Sequence, residues 1–144
     1  MEIKHLKRKD FENALSLVWK VFLQYEATDY PEEGKQAFKQ AIYSEEYLDM
    51  LDMYGAYDGD KLIGVIATRE HQTHIALFFV DGQYHRKGIG KQLFQACMKD
   101  NHAQKITVNS SLYAADIYRK FGFIDTSECQ ESGGIRYIPM SWTR

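Results

Sequence analysis

A run of apolar residues followed at once by a basic, glycine-containing turn constrains the fold of this chain more than any other feature. The run extends from Ile75 to Val80, and the turn contains Gly88 and Gly90. From Gly88 to Asn101 the apolar residues recur at helical spacing. A buried strand that enters such a turn and opens a helix brings glycine backbone and unpaired helix N–H groups together. We therefore expect a site for an anionic group at this turn.

Two common phosphate-binding motifs do not fit this turn. A P-loop needs a Ser or Thr after Gly-Lys, and Gln92 stands there. The dinucleotide fingerprint needs a third glycine, and Leu93 takes its place. The positive charges of Arg86, Lys87 and Lys91 favour an anion site, although the pattern alone also fits a tight turn with solvated lysines.

Composition and charge set the class of protein. The chain has 144 residues, 44 % hydrophobic and 14 % aromatic, which predicts one globular domain covering residues 1–144. A net charge of −2 offers no general attraction to nucleic acid or to an anionic membrane, so neither is expected as a partner. No apolar run reaches membrane-spanning or signal-peptide length. With only Cys97 and Cys129, and no metal-ligand spacing around His71 and His74, we expect a reduced cytoplasmic protein without a metal site.

Hydrophobic periodicity predicts an α/β fold. The expected order is a strand, two helices, three strands, a helix, a strand, a helix and two strands. The strand 73–81 should be central and buried in its middle, because its apolar residues do not alternate with polar ones. The predicted elements are a strand at 1–7, helices at 10–25 and from 31, strands at 54–57, 62–68 and 73–81, a helix at 88–101, a strand at 105–109, a helix at 112–121, and a hairpin of 123–130 with 135–142.

A second informative stretch runs from Val108 to Phe123. Asn109 ends a predicted strand, where its amide could bind a ligand or support the turn. Tyr118 lies on the inward face of the following helix, so its hydroxyl needs a partner. That partner is either structural or a departing thiolate, which the phenol could protonate as a general acid.

The two stretches together resemble a known family. The run from Gln83 to Leu93 resembles the acetyl-CoA-binding motif of the GCN5-related N-acetyltransferases, and the run from Asn109 to Phe123 resembles their second motif. The resemblance covers the whole chain and implies one N-acetyltransferase domain. It implies a mixed, mostly antiparallel sheet of about seven strands with about four helices. The sheet would be splayed between its fourth and fifth strands, with acetyl-CoA in the cleft.

The resemblance also assigns cofactor contacts. Phe79 and Val80 would hydrogen-bond the pantetheine and orient the thioester, Asn109 would contact the pantetheine arm, and Tyr118 would protonate the coenzyme A thiolate. His85 departs from the family pattern, which has Gln or Arg at this position. The residues expected to wrap the pyrophosphate are His85, Arg86, Lys87, Gly88, Ile89, Gly90 and Lys91.

The acceptor end is less well defined by the sequence. Acetyl transfer to a protonated amine needs a base, and the central strand has no carboxylate, so Glu26, Asp29, Glu70 and His74 are the candidates. Glu26 is our predicted base, with Tyr25, Asp29 and Tyr30 as substrate contacts in the segment that resembles the acceptor-covering part of the family. The expected substrate is a primary amine on a small molecule or peptide.

Three further interpretations remain compatible with the sequence. The missing strand carboxylate favours a non-catalytic acyl-CoA-binding or sensing domain, against which Asn109 and Tyr118 argue. A wider cleft mouth would favour an acyl group longer than acetyl. Apolar residues on the last strand, such as Tyr137 and Trp142, are compatible with sheet core or with a homodimer.

Overall fold

The computed structural model describes residues 1–144, which form eight strands and five α-helices around one sheet. The strands are β1 (Glu2–His5), β2 (Asp52–Asp58), β3 (Lys61–Arg69), β4 (His74–Val80), β5 (Lys105–Ser110), β6 (Ile124–Asp125), β7 (Gln130–Ser132) and β8 (Ile135–Thr143). The helices are α1 (Phe11–Val21), α2 (Glu32–Ile42), α3 (Glu45–Asp49), α4 (Ile89–Lys99) and α5 (Ala115–Lys120).

The sheet is mixed and mostly antiparallel, as the family resemblance implies. Its order is β1-β2-β3-β4-β5-β8-β6, and β7 pairs with β8 alone. The single parallel pair joins β4 to β5, and the chain between these strands contains α4. This crossover places β4 in the middle of the sheet, with the predicted glycine turn immediately after it.

Helices cover both faces of the sheet and bury two separate hydrophobic clusters. One cluster lies under α1 to α3 and includes Val18 and Phe22. The other lies under α4 and α5 and includes Leu93 and Tyr118. Helices pack against both faces of β3. Its residues from Leu62 to Thr68 are therefore buried without alternation.

Two elements differ from the sequence-based prediction. Helix α3 was not expected, and its five residues lie between α2 and β2. The strand expected at 123–130 is two short strands, because β6 and β7 pair with different parts of β8. The N–H of Thr126 donates to the carbonyl of Pro139, after which the chain leaves the ladder until Gln130.

Strand β4 is less buried than the continuous apolar run suggests. Ile75, Leu77 and Phe79 are buried, but Phe78 and Val80 are only partly buried. These two residues line a cleft. The apolar run therefore reflects a strand with core on one side and an apolar cavity on the other.

Three further features bear on the class of protein. No helix combines the length and the apolar character needed to cross a bilayer. No group of three or more His, Cys, Asp or Glu side chains could hold a metal ion. Both cysteines are free thiols, with Cys97 buried and Cys129 exposed.

Candidate active site

A cleft opens in the middle of the sheet where β4 and β5 separate. The two strands pair only at His74 with Thr107 and Ile75 with Val108. The next residue, Ala76, is an extra residue in the β3–β4 ladder, since Ala67 pairs with Leu77 and Thr68 with Ile75. Such a bulge bends a strand and increases its twist, which accounts for the separation of β4 from β5 beyond this point. The predicted splay between the fourth and fifth strands is confirmed.

The register of β3 with β4 determines which main-chain groups face the cleft. The N–H of Asp81 donates to the carbonyl of Ile63 at 2.8 Å, so Asp81 is bonded on the β3 side. Because ladder bonds alternate, Phe79 also bonds toward β3, whereas Phe78 and Val80 direct their N–H and C=O groups to the open edge. The register therefore favours Phe78 instead of Phe79 for the predicted main-chain contact with a ligand. It directs the main chain of Val80 to the open edge, where the predicted contact by Val80 would be made.

The turn before α4 has the geometry of an anion site. Gly88 caps the helix at a φ of 80°, and a Cβ there would meet nothing within 4 Å. The N–H of Gln92 makes the first bond of the helix, to the carbonyl of Gly88. The three preceding N–H groups, those of Ile89, Gly90 and Lys91, have no partner in the helix and point out of its N-terminus.

Cationic side chains surround this turn. Arg86, Lys87 and Lys91 are exposed, and Arg86 has a φ of 64°, which is uncommon for a residue with a Cβ. The Nζ of Lys87 lies 5.4 Å from the centre of the Tyr84 ring. The structure thus places the predicted basic residues at the end of the cleft where the helix begins.

The His85 side chain points away from this turn. Its Nε2 lies 2.7 Å from the carbonyl oxygen of Val80, and its Nδ1 lies 3.4 Å from the hydroxyl oxygen of Tyr113. The ring centre of Tyr25 lies 4.8 Å from that of His85. His85 therefore forms part of the cleft wall, with Tyr25 packed against it, and a phosphate contact by His85 would have to come from its main chain.

A cavity of about 560 Å³ runs from the glycine turn along β4 to α5. This volume is within the range of cofactor and ligand pockets. Eleven of its eighteen lining residues are hydrophobic, so it offers an apolar channel with a charged end. Among the predicted site residues, those that line it are Glu26, Phe79, Val80, His85, Arg86, Gly88, Ile89, Gly90, Lys91 and Tyr118.

Glu26 reaches the cleft from a π-helical turn that continues α1. The turn covers Phe22–Glu26, and its wider winding is shown by the bond from the Ala27 N–H to the Phe22 carbonyl. Burial raises the pKa of Glu26 from 4.5 to about 8, and a hydrogen bond from Ser111 opposes the rise. A carboxyl group with a pKa near the working pH suits a general base.

Tyr118 lies across the cleft from Glu26, on α5. Its side chain is 5 % exposed and packs edge-on against Phe78 and Phe123. Burial raises its pKa well above 10, and the charge of Glu26 adds to the rise. A phenol with a raised pKa stays protonated at neutral pH and so carries a proton to donate, but the higher pKa also makes it a weaker acid.

A second, smaller cavity of about 50 Å³ adjoins the first near the end of the cleft where β4 and β5 are still paired. Glu26, Tyr118 and Asn109 all line it. The structure thus brings together the predicted base, the predicted acid and the predicted strand-end amide.

The other predicted acceptor residues do not line either cavity. Asp29 is exposed, and the Tyr30 hydroxyl donates to the carbonyl of Arg136 at 3.1 Å. Glu70 lies in the β3–β4 turn with a φ of 55°, and His74 contacts the Thr107 hydroxyl at 2.7 Å. Of the four candidate bases, only Glu26 faces the cleft.

Sequence reasoning missed Asp81, which anchors the turn. Its carboxylate, 2 % exposed, accepts from the Gln83 N–H and from the Nζ of Lys20, each at 3.0 Å. Burial opposes ionisation, but these bonds and the charge of Lys61 lower the pKa of Asp81 below its ordinary value. An Asp followed by Gly at a strand end is the available sequence signal, since Asp accepts bonds from N–H groups two residues on.

We expect Asp81→Asn to lower the free energy of unfolding by about 1–3 kcal/mol at neutral pH, because bonds to a charged group are lost. Urea denaturation measures this, with the exposed Asp60→Asn as the matched control. The difference from the parent should shrink as the pH falls through the pKa of Asp81, since the parent then loses the same charge. A difference that persists at low pH would contradict the ionic role.

Comparisons with known proteins agree with this geometry. The family model described as an acetyltransferase (GNAT) domain matches residues 26–144. The uncharacterized N-acetyltransferase YvbK of Bacillus subtilis is 33 % identical over 90 residues, which span 55 % of this chain and 57 % of YvbK. The uncharacterized N-acetyltransferase YafP of Escherichia coli is 23 % identical over 125 residues, 85 % of this chain and 81 % of YafP.

Solved structures share the fold. A GCN5-related N-acetyltransferase of Rhodopseudomonas palustris has a TM-score of 0.83 at 20 % identity, over 99 % of this chain and 95 % of that one. The PaiA N-acetyltransferase of Thermoplasma acidophilum was solved in complex with coenzyme A. It has a TM-score of 0.80 at 20 % identity, over 99 % of this chain and 98 % of that one. With the family match covering most of the chain, the protein belongs to the GCN5-related N-acetyltransferase (GNAT) family.

Proposed function

We propose that this protein transfers an acetyl group from acetyl-CoA to a primary amine of a small molecule or peptide, within one ternary complex. Glu26 is the general base and Tyr118 the general acid. The observation that carries the proposal is that both side chains line both cavities, at the place where the cavities adjoin. A base and an acid that face one point can act on the two sides of a single carbonyl.

The cofactor fits the larger cavity in one direction. The free N–H groups at the start of α4 and the cations Arg86, Lys87 and Lys91 suit the pyrophosphate. The open edge of β4 offers the main-chain groups of Phe78 and the N–H of Val80 to the amides of the pantetheine arm, as a paired strand would. This direction brings the thioester to Glu26 and Tyr118.

The proton transfers balance across the site. The amine enters this step in its neutral form. Glu26, when ionised, accepts a proton from the amine as its nitrogen bonds to the acetyl carbon. Tyr118 donates its proton to the sulfur as the carbon–sulfur bond breaks, and return of the Glu26 proton to the tyrosinate through solvent restores both groups. The products are an N-acetylated amine and coenzyme A, and holding the two substrates side by side supplies much of the rate.

The acceptor would approach from the segment between α1 and α2. Tyr25 packs at the cleft wall, and Asp29 and Tyr30 follow the π-helical turn that carries Glu26. A cationic amine suits this acidic and aromatic surface. Contacts from Tyr25, Asp29 and Tyr30 remain part of the proposal.

We expect Tyr118→Phe to lower turnover by about 10- to 100-fold with little change in acetyl-CoA affinity. The effect is moderate because a thiol ionises near pH 8.5 and so leaves with limited help from an acid. Release of free thiol, with a panel of primary amines, measures turnover. Tyr47→Phe is the matched control, since it removes a half-buried hydroxyl in α3, remote from both cavities.

Turnover of Tyr118→Phe equal to that of the parent would remove Tyr118 from the mechanism. Acetyl-CoA binding without thiol release for any amine would favour the non-catalytic acyl-CoA-binding domain. The placement of Glu26 in the cleft argues against that alternative, because it supplies the carboxylate that β4 lacks.

A further inference from the structure

The ionised form of Glu26 has little electrostatic support in the cleft. Burial opposes ionisation of its carboxyl group, and no Lys or Arg lines the smaller cavity that it faces. The basic side chains that line the larger cavity do not lower the pKa of Glu26; they are His85, Arg86, Lys91 and Lys120. The charge of the carboxylate must therefore be stabilised by uncharged hydrogen-bond donors.

Three phenols lie near enough to respond to the charge of Glu26. Burial raises the pKa of Tyr30, Tyr113 and Tyr118, and the charge of Glu26 adds to each rise, so all three are neutral at the working pH. The hydroxyls of Tyr30 and Tyr113 contact other groups. The proton of Tyr118 is the one assigned to the sulfur. These phenols therefore leave the carboxylate to another donor.

That donor is Ser111, whose side chain hydrogen-bonds to Glu26. Ser111 lies between β5 and α5, and it lines the smaller cavity together with Glu26. Its oxygen accepts from the Ala114 N–H at 3.1 Å, which leaves the hydroxyl hydrogen to donate to the carboxyl group. The neighbouring Ser110 hydroxyl donates to the Ser111 carbonyl at 2.7 Å, so it is engaged elsewhere.

We propose that Ser111 is a positioning residue: its hydroxyl bridges the cleft to Glu26 and keeps the carboxylate in the form that accepts the amine proton. The inference rests on the proposed function, in which Glu26 is the base. A hydroxyl donor stabilises a carboxylate more than a protonated carboxyl group, because bonds to ionised acceptors are stronger. Without this hydroxyl, Glu26 stays protonated over more of the working pH range.

We expect Ser111→Ala to lower the rate of acetyl transfer about tenfold at pH 7 and to have almost no effect near about pH 10. The effect disappears because Glu26 ionises at high pH even without the hydroxyl. Rates of the variant and the parent are measured with the same amine at each pH. The titration of the amine itself then cancels in the ratio of the two rates.

Two further variants separate this effect from a structural one. Ser111→Ala also removes the bond from the Ala114 N–H, and that loss alone would lower the rate by one factor at every pH. Ser111→Thr retains the hydroxyl and should keep the pH profile of the parent. Ser110→Ala removes the neighbouring hydroxyl, which is bonded to the main chain, and should also keep that profile.

Carbon-13 NMR of the glutamate carboxyl groups tests the same bond without acetyl-CoA or an amine. The resonance of Glu26 is the one missing from Glu26→Gln. It should titrate near pH 8 in the parent and at a higher pH in Ser111→Ala, since the variant lacks the bond that opposes the effect of burial. Ser111→Thr should titrate as the parent does.

The outcomes separate this inference from the proposed function. An identical Glu26 titration in Ser111→Ala and the parent, or a ratio of rates that is the same at every pH, would overturn the inference and leave the proposed function standing. A shifted titration in a protein that acetylates no amine would overturn the proposed function, and the catalytic role of Ser111 with it.

Discussion

We expect Glu26→Gln to lower the rate of acetyl transfer by about 10³-fold, because no other carboxylate lines the cleft to accept the amine proton. The parent rate should rise with pH and level off above an apparent pKa near 8, the value of Glu26. This rise should be absent in Glu26→Gln. Steady-state rates across the pH range, at saturating acetyl-CoA, measure both effects.

The same residue should make folding stability depend on pH. The folded protein holds the Glu26 proton up to a pKa of about 8, whereas an unburied glutamate releases it near 4.5. Between these values the folded state binds more protons than the unfolded state, so stability falls as the pH rises. Glu26→Gln should lack this decline and be more stable than the parent above pH 8.

Glu12→Gln, on the exposed face of α1, is the control for loss of a carboxylate. It should leave the rate, its pH profile and the stability curve unchanged. A Glu26→Gln enzyme that keeps both the parent rate and its pH dependence would assign the base to another group or to water.

Gly88→Glu should abolish binding of acetyl-CoA. The substitution places a negative side chain at the start of α4, among the N–H groups assigned to the pyrophosphate. Thermal unfolding with and without ligand measures the loss. The parent should gain about 2.7 kcal/mol at one hundred times the dissociation constant with acetyl-CoA or coenzyme A, and nothing with ATP.

Gly133→Glu is the matched control for this variant. Gly133 also has a positive φ, of 59°, and a Cβ there also meets nothing within 4 Å. Both variants place a glutamate at a glycine of positive φ. If Gly88→Glu loses acetyl-CoA binding and Gly133→Glu keeps it, the turn before α4 is the binding site for the cofactor. Equal stabilisation of Gly88→Glu and the parent would place the cofactor elsewhere.

Much of the fold follows from local patterns in the sequence. The apolar run before Gly88 and the helical spacing after it predicted β4, its turn and α4, because each depends on nearby residues. Helix α3 was missed because five residues are too few to show a periodicity. The division of 123–130 into β6 and β7 was missed because it depends on pairing with distant parts of β8.

The candidate site was predictable where main-chain geometry or an inward face decides it. Gly88 and Tyr118 lie where their motifs predict. The His85 side chain was not predictable, because its direction depends on the Val80 carbonyl and on Tyr113, far along the chain. The raised pKa of Glu26 was equally hidden, since it depends on a π-helical turn and on burial near Ser111, far along the chain.

The most direct test of the account is acetyl transfer itself. Isotopically labelled acetyl-CoA is incubated with a panel of primary amines at a series of pH values, and labelled amides are detected by mass spectrometry for the parent and Glu26→Gln. The account predicts a labelled amide whose rate of formation rises through pH 8 in the parent and is nearly lost in Glu26→Gln. Binding of acetyl-CoA with no labelled amide from any amine would contradict it.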